Sequence, residues 1–416
     1  MPALTTTATT TIFDPLTLAC GLLIPNRLAK AALEENLASE GQVPGVALFK
    51  LYRAWSSGGA GLLLTGNVMI DRRALTGPGG VVLDASTDIA PFKEWAAAAK
   101  SGGAKVFMQI SHPGRQIFSG QGMTSLSPSD VALDMGKYSA MFEKPRALSH
   151  DEIVETIARF VATAQQAERA GFDGVEVHAA HGYLVSQFLS PLTNLRSDRW
   201  GGPLENRSRF LLEIVQGIRA VVSPAFAVAV KLNSADFQRG GYDVNDSREV
   251  IGMLNGLDVD LVELSGGSYE SPAMQGQTAD ARTLAREAYF LEFAVDLLEQ
   301  ARMPLMVTGG ISRRATAENV IAGGVAIAGM GTALAMTPNL PLKWREAEHV
   351  SPRPRQLGIK DKGLRALGTQ AFVSRQMTRL GAGRGVNPDA SPIVSLVAHQ
   401  LRKNKLVKRY KKWLAT

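Results

Sequence analysis

The sequence predicts an α/β fold, a (β/α)8 TIM barrel with an N-terminal β-hairpin and a C-terminal helical extension. Three observations carry this. Short apolar runs alternate with amphipathic stretches eight times in about 320 residues, the repeat number this barrel requires. The runs are apolar almost throughout, as strands buried on both faces are. Forty-one glycines supply tight turns between strands and helices. A doubly wound sheet would share these features, and the regular repetition favours the barrel.

The hairpin comes first. IFDPLTLACGLLIPN (12–26) sets a turn between two apolar runs and is expected to plug one end of the barrel. Strands follow at NRLAKAAL (26–33), GLLLTGNVM (61–69), KVFMQISH (105–112) and GVEVHAAH (174–181). The remaining four are FAVAVKLN (226–233), LVELSGG (261–267), MPLMVTGG (303–310) and VAIAGMG (325–331). Parallel neighbours need helical crossovers. These are read at 46–59, 89–103, 151–170, 204–222, 247–257, 288–301, 315–322 and 340–348. Residues 1–345 are thus expected to form the barrel with its hairpin. Residues 346–416 form the helical extension, interrupted by GAGRGVNPDASP. Two connections are too long for simple turns, 113–150 after the third strand and 268–287 after the sixth. Both leave the C-terminal ends of strands, where long loops shape binding sites.

Composition sets limits. A single cysteine, Cys20, excludes an internal disulfide and a cysteine-ligated iron–sulfur cluster. The threonine-rich start lacks the basic and apolar regions of a secretion signal, and no apolar run reaches about eighteen residues. The chain therefore reads as cytoplasmic, with no integral membrane insertion. Its net charge of +7 is uneven, because LRKNKLVKRYKKWLAT (401–416) carries seven Lys/Arg and no acid. Such a run suits a solvated terminal helix better than an RNA or membrane site, and no nucleic-acid partner is expected.

Catalytic groups of this barrel come from the C-terminal ends of its strands. In order, those ends give Glu34, Asn67, Gln109 with His112, His178 with His181, Lys231 and Ser265. Gly309 and Gly310 follow, then Gly329 and Gly331. In HAAHGYL the histidines stand three apart, with Tyr183 two residues beyond. That spacing alone leaves a metal grip with His112, an oxygen clamp and simple packing all open. Lys231 closes an otherwise apolar strand, which is costly without a partner. It reads as a Schiff-base lysine or as a cation answering an anionic ligand. Gln109 offers a donor and an acceptor to a flat heterocycle. The glycines after strands seven and eight suit a phosphate, whose charge the next helix N-termini favour.

PNRLAKAAL, MQISHPGRQ and HAAHGYLVSQFLSPLTNLRSDRWGGPLENRSRF, followed by VKLNSADF, ELSGGSYESP and VTGGISRR, resemble the Old Yellow Enzyme family of NADH:flavin oxidoreductases. The likeness runs along nearly the whole chain. It looks closest to the 2,4-dienoyl-CoA-reductase-like branch without an iron–sulfur domain. The resemblance implies FMN as cofactor, NADH or NADPH as electron donor, and an enone or related electron-poor alkene as substrate. Gln109 resembles the residue that bonds the flavin's pyrimidine edge, and Lys231 the cation at flavin N1 and O2. Ala31, Ala32 and Asn67 would line the isoalloxazine ring. Gly309, Gly310, Gly329 and Gly331 would cradle the phosphate. His178 and His181 match the pair that bonds the oxygen of the substrate's activating group, and Tyr183 matches the proton donor.

Two positions depart from that pattern. Glu34 stands where the family has Thr or Cys against flavin O4. Its carboxylate would lower the flavin's potential unless Lys30 or Lys231 compensates it. Thr332 stands where the family places an Arg on the phosphate, with Arg313 and Arg314 as candidates to substitute. The competing readings are a metal hydrolase on His112, His178 and His181, a Schiff-base lyase on Lys231, and a flavin-binding barrel with weakened or altered activity. No further metal ligand stands at the strand ends, so no metal site is expected. A homo-oligomer is compatible with the sequence.

Overall fold

The computed structural model describes residues 10–273, 287–359 and 361–416. Its central strands are β1 Leu28–Lys30, β2 Leu62–Leu64, β3 Lys105–Ser111, β4 Gly174–Ala179, β5 Ala227–Asn233, β6 Leu261–Ser265, β7 Leu305–Thr308 and β8 Ile327–Met330. Each pairs in parallel with the next, and β8 returns to β1. The sheet is closed, so the doubly wound alternative, which leaves two free edges, is excluded. The eight strands stand where the apolar runs placed them, but shorter. Their polar and glycine-rich ends leave the ladder and form the rim. The run at 61–69 is not one strand: beyond Gly66, Val68–Met69 pairs with the end of β3 and with Val81–Val82.

Side chains alternate between two layers, as the two-residue period of a strand requires. Ala29, Leu62, Phe107, Ala229, Leu261, Met306 and Ile327 fill the interior. Leu63, Val106, Val175, Val228, Val262 and Val307 face the helices. The hairpin forms as expected, pairing Leu16–Thr17 with Leu23–Ile24. Its Leu18 and Ile24 join the interior layer and so plug the barrel.

Crossover helices include Val46–Ser56, Ala90–Lys100, His150–Arg169, Leu204–Arg219, Val244–Leu254, Leu291–Leu297 and Arg314–Ala322. Ser149 and Asp243 each close a capping box, which fixes the starts of His150–Arg169 and Val244–Leu254. The second helix therefore begins earlier than the apolar pattern at 247–257 suggested. Among the described residues no helix is long and apolar enough to cross a membrane.

The extension holds helices Lys362–Gly381 and Pro392–Leu414. The second is the terminal helix its charge suggested, exposed along much of its length but docked on one side. Arg402 donates to the Asn36 carbonyl and Arg409 to the Ala38 carbonyl, both at 2.6 Å. The Tyr410 phenol donates to the Arg72 carbonyl at 2.7 Å. Part of the basic charge thus serves carbonyls of the rim loops, which helix and sheet ladders leave unpaired.

Candidate active site

The inward positions at the upper ends of β3 to β6 form a polar layer. Gln109 Nε2 donates to Glu176 Oε1 at 2.7 Å. Lys231 Nζ bonds Glu263 Oε1 at 2.6 Å, with both side chains buried. Glu176 and Glu263 were missed in reading the strand ends. The signal was present: two-residue alternation puts Glu176 on the face of His178, and Glu263 on the face of Ser265.

His178 is buried, and its Nδ1 accepts the Ala180 N–H at 3.3 Å, which assigns the ring proton to Nε2. His181 takes a left-handed φ of 61°, followed by Gly182 at 73°. This turn sets the second imidazole beside the first, with centroids 5.1 Å apart. His181 Nε2 lies 2.7 Å from Ser265 Oγ, and its backbone N–H donates to Asn233 Oδ1. Burial, then the nearby Lys231 ammonium, holds both imidazoles well below their usual range, and His181 adds to the effect on His178. Both are neutral at neutral pH. The Tyr183 ring stands 4.8 Å from that of His178. Burial, then Tyr269 and Glu34, pushes the Tyr183 phenol well above its usual value.

The two long loops meet over this trio. Arg115, in the loop after β3, bonds Glu270, in the loop after β6, at 2.6 Å. The other Glu270 oxygen accepts the Asp134 N–H at 2.8 Å. The pairing sets Tyr269 beside Tyr183. Phe142 stacks on Phe118 at 4.7 Å and tilts against Tyr269 at 6.0 Å, extending an aromatic wall outward. Lys403 of helix Pro392–Leu414 caps that wall, 3.9 Å from the Phe118 centroid. Residues 274–286 of the second loop lie outside the described residues.

Two candidate roles and one competing reading do not hold. Lys30 does not compensate Glu34: it falls on the outward face of β1, where Nζ bonds Glu35 at 3.3 Å and the Leu64 carbonyl at 2.8 Å. Lys231 is held by Glu263. Glu34 instead accepts from Thr76 Oγ1 at 2.9 Å and Asn36 Nδ2 at 3.1 Å, and Asn67 Nδ2 donates to Thr76 at 3.2 Å. Burial raises the Glu34 carboxyl above its usual range against those donors. The zinc trio is not assembled either. His112 has the opposite strand parity to Gln109 and Ser111; Asp71, Arg159 and Arg73 are its charged neighbours, and burial lowers it to about 4. Finally, Arg313 bonds Glu287 at 3.1 Å, while Arg314 bonds Glu318 at 2.8 Å and the Trp344 carbonyl at 2.7 Å. Both candidate arginines are committed to protein partners.

At the ends of β7 and β8, Gly310 has a φ of 69°, and a Cβ there would sit 2.5 Å from the Tyr289 ring. Gly309 packs under Tyr289 and Phe290, and Gly329 packs against Thr308 and Met306. The N–H groups of Gly310 and Gly331 have no protein acceptor among the described residues. Thr332 is exposed and opens the short helix Thr332–Met336. Ala31 and Ala32 continue β1 onto the rim, where Ala31 N–H bonds the Met330 carbonyl at 3.0 Å.

The profile of the NADH:flavin oxidoreductase / NADH oxidase family matches residues 11–349. The NADH-dependent flavin oxidoreductase iliE of Neonectria sp. (strain DH2) is 36% identical over 369 residues, covering 83% of this chain and 48% of that protein. The protein of the same name from Hypocrea jecorina (strain QM6a) is 35% identical over 349 residues, covering 79% and 87%. The chain thus spans about half the length of the first relative and most of the second. Among solved structures, morphinone reductase matches with a TM-score of 0.69 at 25% identity, covering 84% of this chain and 92% of that one. With a family profile matched across the whole barrel, the chain belongs to the NADH:flavin oxidoreductase / NADH oxidase family and carries the Old Yellow Enzyme barrel.

Proposed function

We propose that the chain is an FMN-dependent NAD(P)H oxidoreductase of the ene-reductase type, reducing the activated C=C bond of α,β-unsaturated carbonyl compounds. The carrying observation is the gathering of two neutral imidazoles and a protonated phenol at one end of the barrel. The residues present fit a flavin. Gln109 and Lys231 would offer an amide and a cation to a pyrimidine edge, the small side chains of Ala31 and Ala32 would leave room for a flat ring, and Asn67 would line it. The free N–H groups of Gly310 and Gly331, with Gly309, Gly329 and Thr332 around them, suit a phosphate. Reduced FMN supplies the hydride when bound, with NADH or NADPH as donor.

The chain's own residues supply the rest. His178 Nε2–H donates to the carbonyl oxygen, where negative charge builds as the β-carbon accepts hydride. His181, oriented by Ser265, serves the same oxygen. A neutral imidazole can still serve here, because one ring nitrogen keeps its N–H to donate while the other accepts. Tyr183 delivers a proton to the α-carbon, and burial keeps its phenol protonated over the working pH range.

The test is anaerobic oxidation of NADH and NADPH by the yellow protein with cyclic enones, dienoyl thioesters and quinones. Enone turnover is expected. Tyr183→Phe should suppress enone reduction and spare quinone reduction, which needs no proton on carbon. A protein that binds no flavin, or that turns over quinones but no enone, rejects the reading.

A further inference from the structure

Inside the barrel, Glu176 and Glu263 are both fully buried. Glu176 Oε1 accepts from Gln109 and Glu263 Oε1 from Lys231. The second oxygen of each carboxyl is buried and makes no hydrogen bond among the described residues, although the Thr308 hydroxyl, likewise unbonded, adjoins Glu263. Both point into the interior from β4 and β6, the strands on either side of β5, and each carboxyl feels the other's charge. Two carboxylates coupled in this way and away from water cannot both hold charge, and each orphaned oxygen is costly. One proton between them satisfies both. The surrounding groups leave that balance intact: His178 and His181 are neutral, and Lys30 answers Glu35 on the far side of β1.

We propose that Glu176 and Glu263 share one proton, and that Glu263 is a positioning residue which, through Lys231, sets how much positive charge the barrel presents to the flavin's pyrimidine edge. This rests on the flavin reading above. Lys231 then faces the flavin as half of a neutral unit rather than as a free cation. Burial and the adjacent Glu263 push Glu176 well up; against burial, Lys231 and Glu176 hold Glu263 down, in agreement with this division. Removing the negative member frees the cation, which stabilises the anionic reduced flavin.

The experiment pairs infrared spectroscopy with flavin potentiometry. The wild-type protein should show carbonyl bands of buried carboxylic acids, and the difference spectrum between wild type and Glu176→Gln should contain one of them, distinct from any band that Glu34→Thr removes. Glu176→Gln keeps the Lys231–Glu263 charge balance, so its midpoint potential should stay near wild type. Glu176→Gln/Glu263→Gln leaves Lys231 uncompensated and should raise the potential by about 30 mV or more, a tenfold shift in the two-electron equilibrium. Glu263→Gln alone should raise it less, because Glu176 can ionise in its place. A difference spectrum without that band overturns the shared proton. Flavin-loaded Glu263→Gln and double variants at wild-type potential overturn the role of Glu263. The infrared comparison needs no flavin, so it separates failure of the pair from failure of the proposed function.

Discussion

The phenol oxygens of Tyr183 and Tyr269 lie 3.1 Å apart, although one follows β4 and the other sits in the loop after β6. The contact gives Tyr183 a polar partner at a buried position. Tyr183→Phe should lower enone reduction by about 10²- to 10⁴-fold, the range for loss of a general acid. Tyr269→Phe should cost far less while leaving flavin reduction by NADH untouched. Stopped-flow measurement of the two half-reactions checks both. Equal losses in the two variants would move the proton donor away from Tyr183.

The loops over the site depend on one ion pair. Arg115 and Glu270 are largely buried, and removing one partner leaves the other without its charge. Arg115→Met should destabilise the fold by about 3 kcal/mol. It should also raise KM, because Tyr269 adjoins Glu270. Denaturant unfolding and steady-state kinetics on the same preparation test this. A variant with full stability would show that the pair is dispensable.

Burial holds three imidazoles neutral, His178 and His181 well below 6.5 and His112 lowered from 6.5 to about 4. The unfolded chain binds protons on these rings below about 6.5, and the folded chain does not. Unfolding therefore takes up protons, so their contribution is present above 6.5 and is lost as the pH falls toward 4. His112→Gln should flatten the decline in urea midpoint between about pH 7 and about pH 5. Glu34 and Glu176 are shifted upward and act in the opposite sense, so the difference between variant and wild type is the informative quantity.

Glu34 should depress the flavin's potential only when ionised. Because burial raises its carboxyl, the rise in midpoint potential caused by Glu34→Thr is expected to be larger at about pH 9 than at about pH 6. Equal shifts at both values would place the origin elsewhere than in the carboxylate.

Much of this molecule could be read along the chain. The barrel was legible because strands buried on both faces leave apolar runs that polar turns interrupt. The clustering of His178, His181 and Tyr183 was legible because they occupy one short segment at one strand end. What escaped notice needs two distant segments. Glu263 matters through Lys231 on the next strand, and Glu270 through Arg115 on another loop. Lys30 carried a parity signal, since it alternates with the inward Ala29 and Ala31, yet its partner Glu35 was passed over in favour of Glu34. The docking of helix Pro392–Leu414 was invisible for a different reason. Its acceptors at Asn36 and Ala38 are backbone carbonyls, which every residue carries.

That docking has a kinetic consequence. The bonds from Arg402 and Arg409 to Asn36 and Ala38 span 366 and 371 residues, whereas the barrel strands, apart from the closing β8–β1 pair, meet a neighbour one repeat away. Contacts this distant in the chain bear a larger loop-closure entropy and form late. During refolding the barrel should gain its helices first, and the segment beside Glu34 should become rigid only in a slower phase.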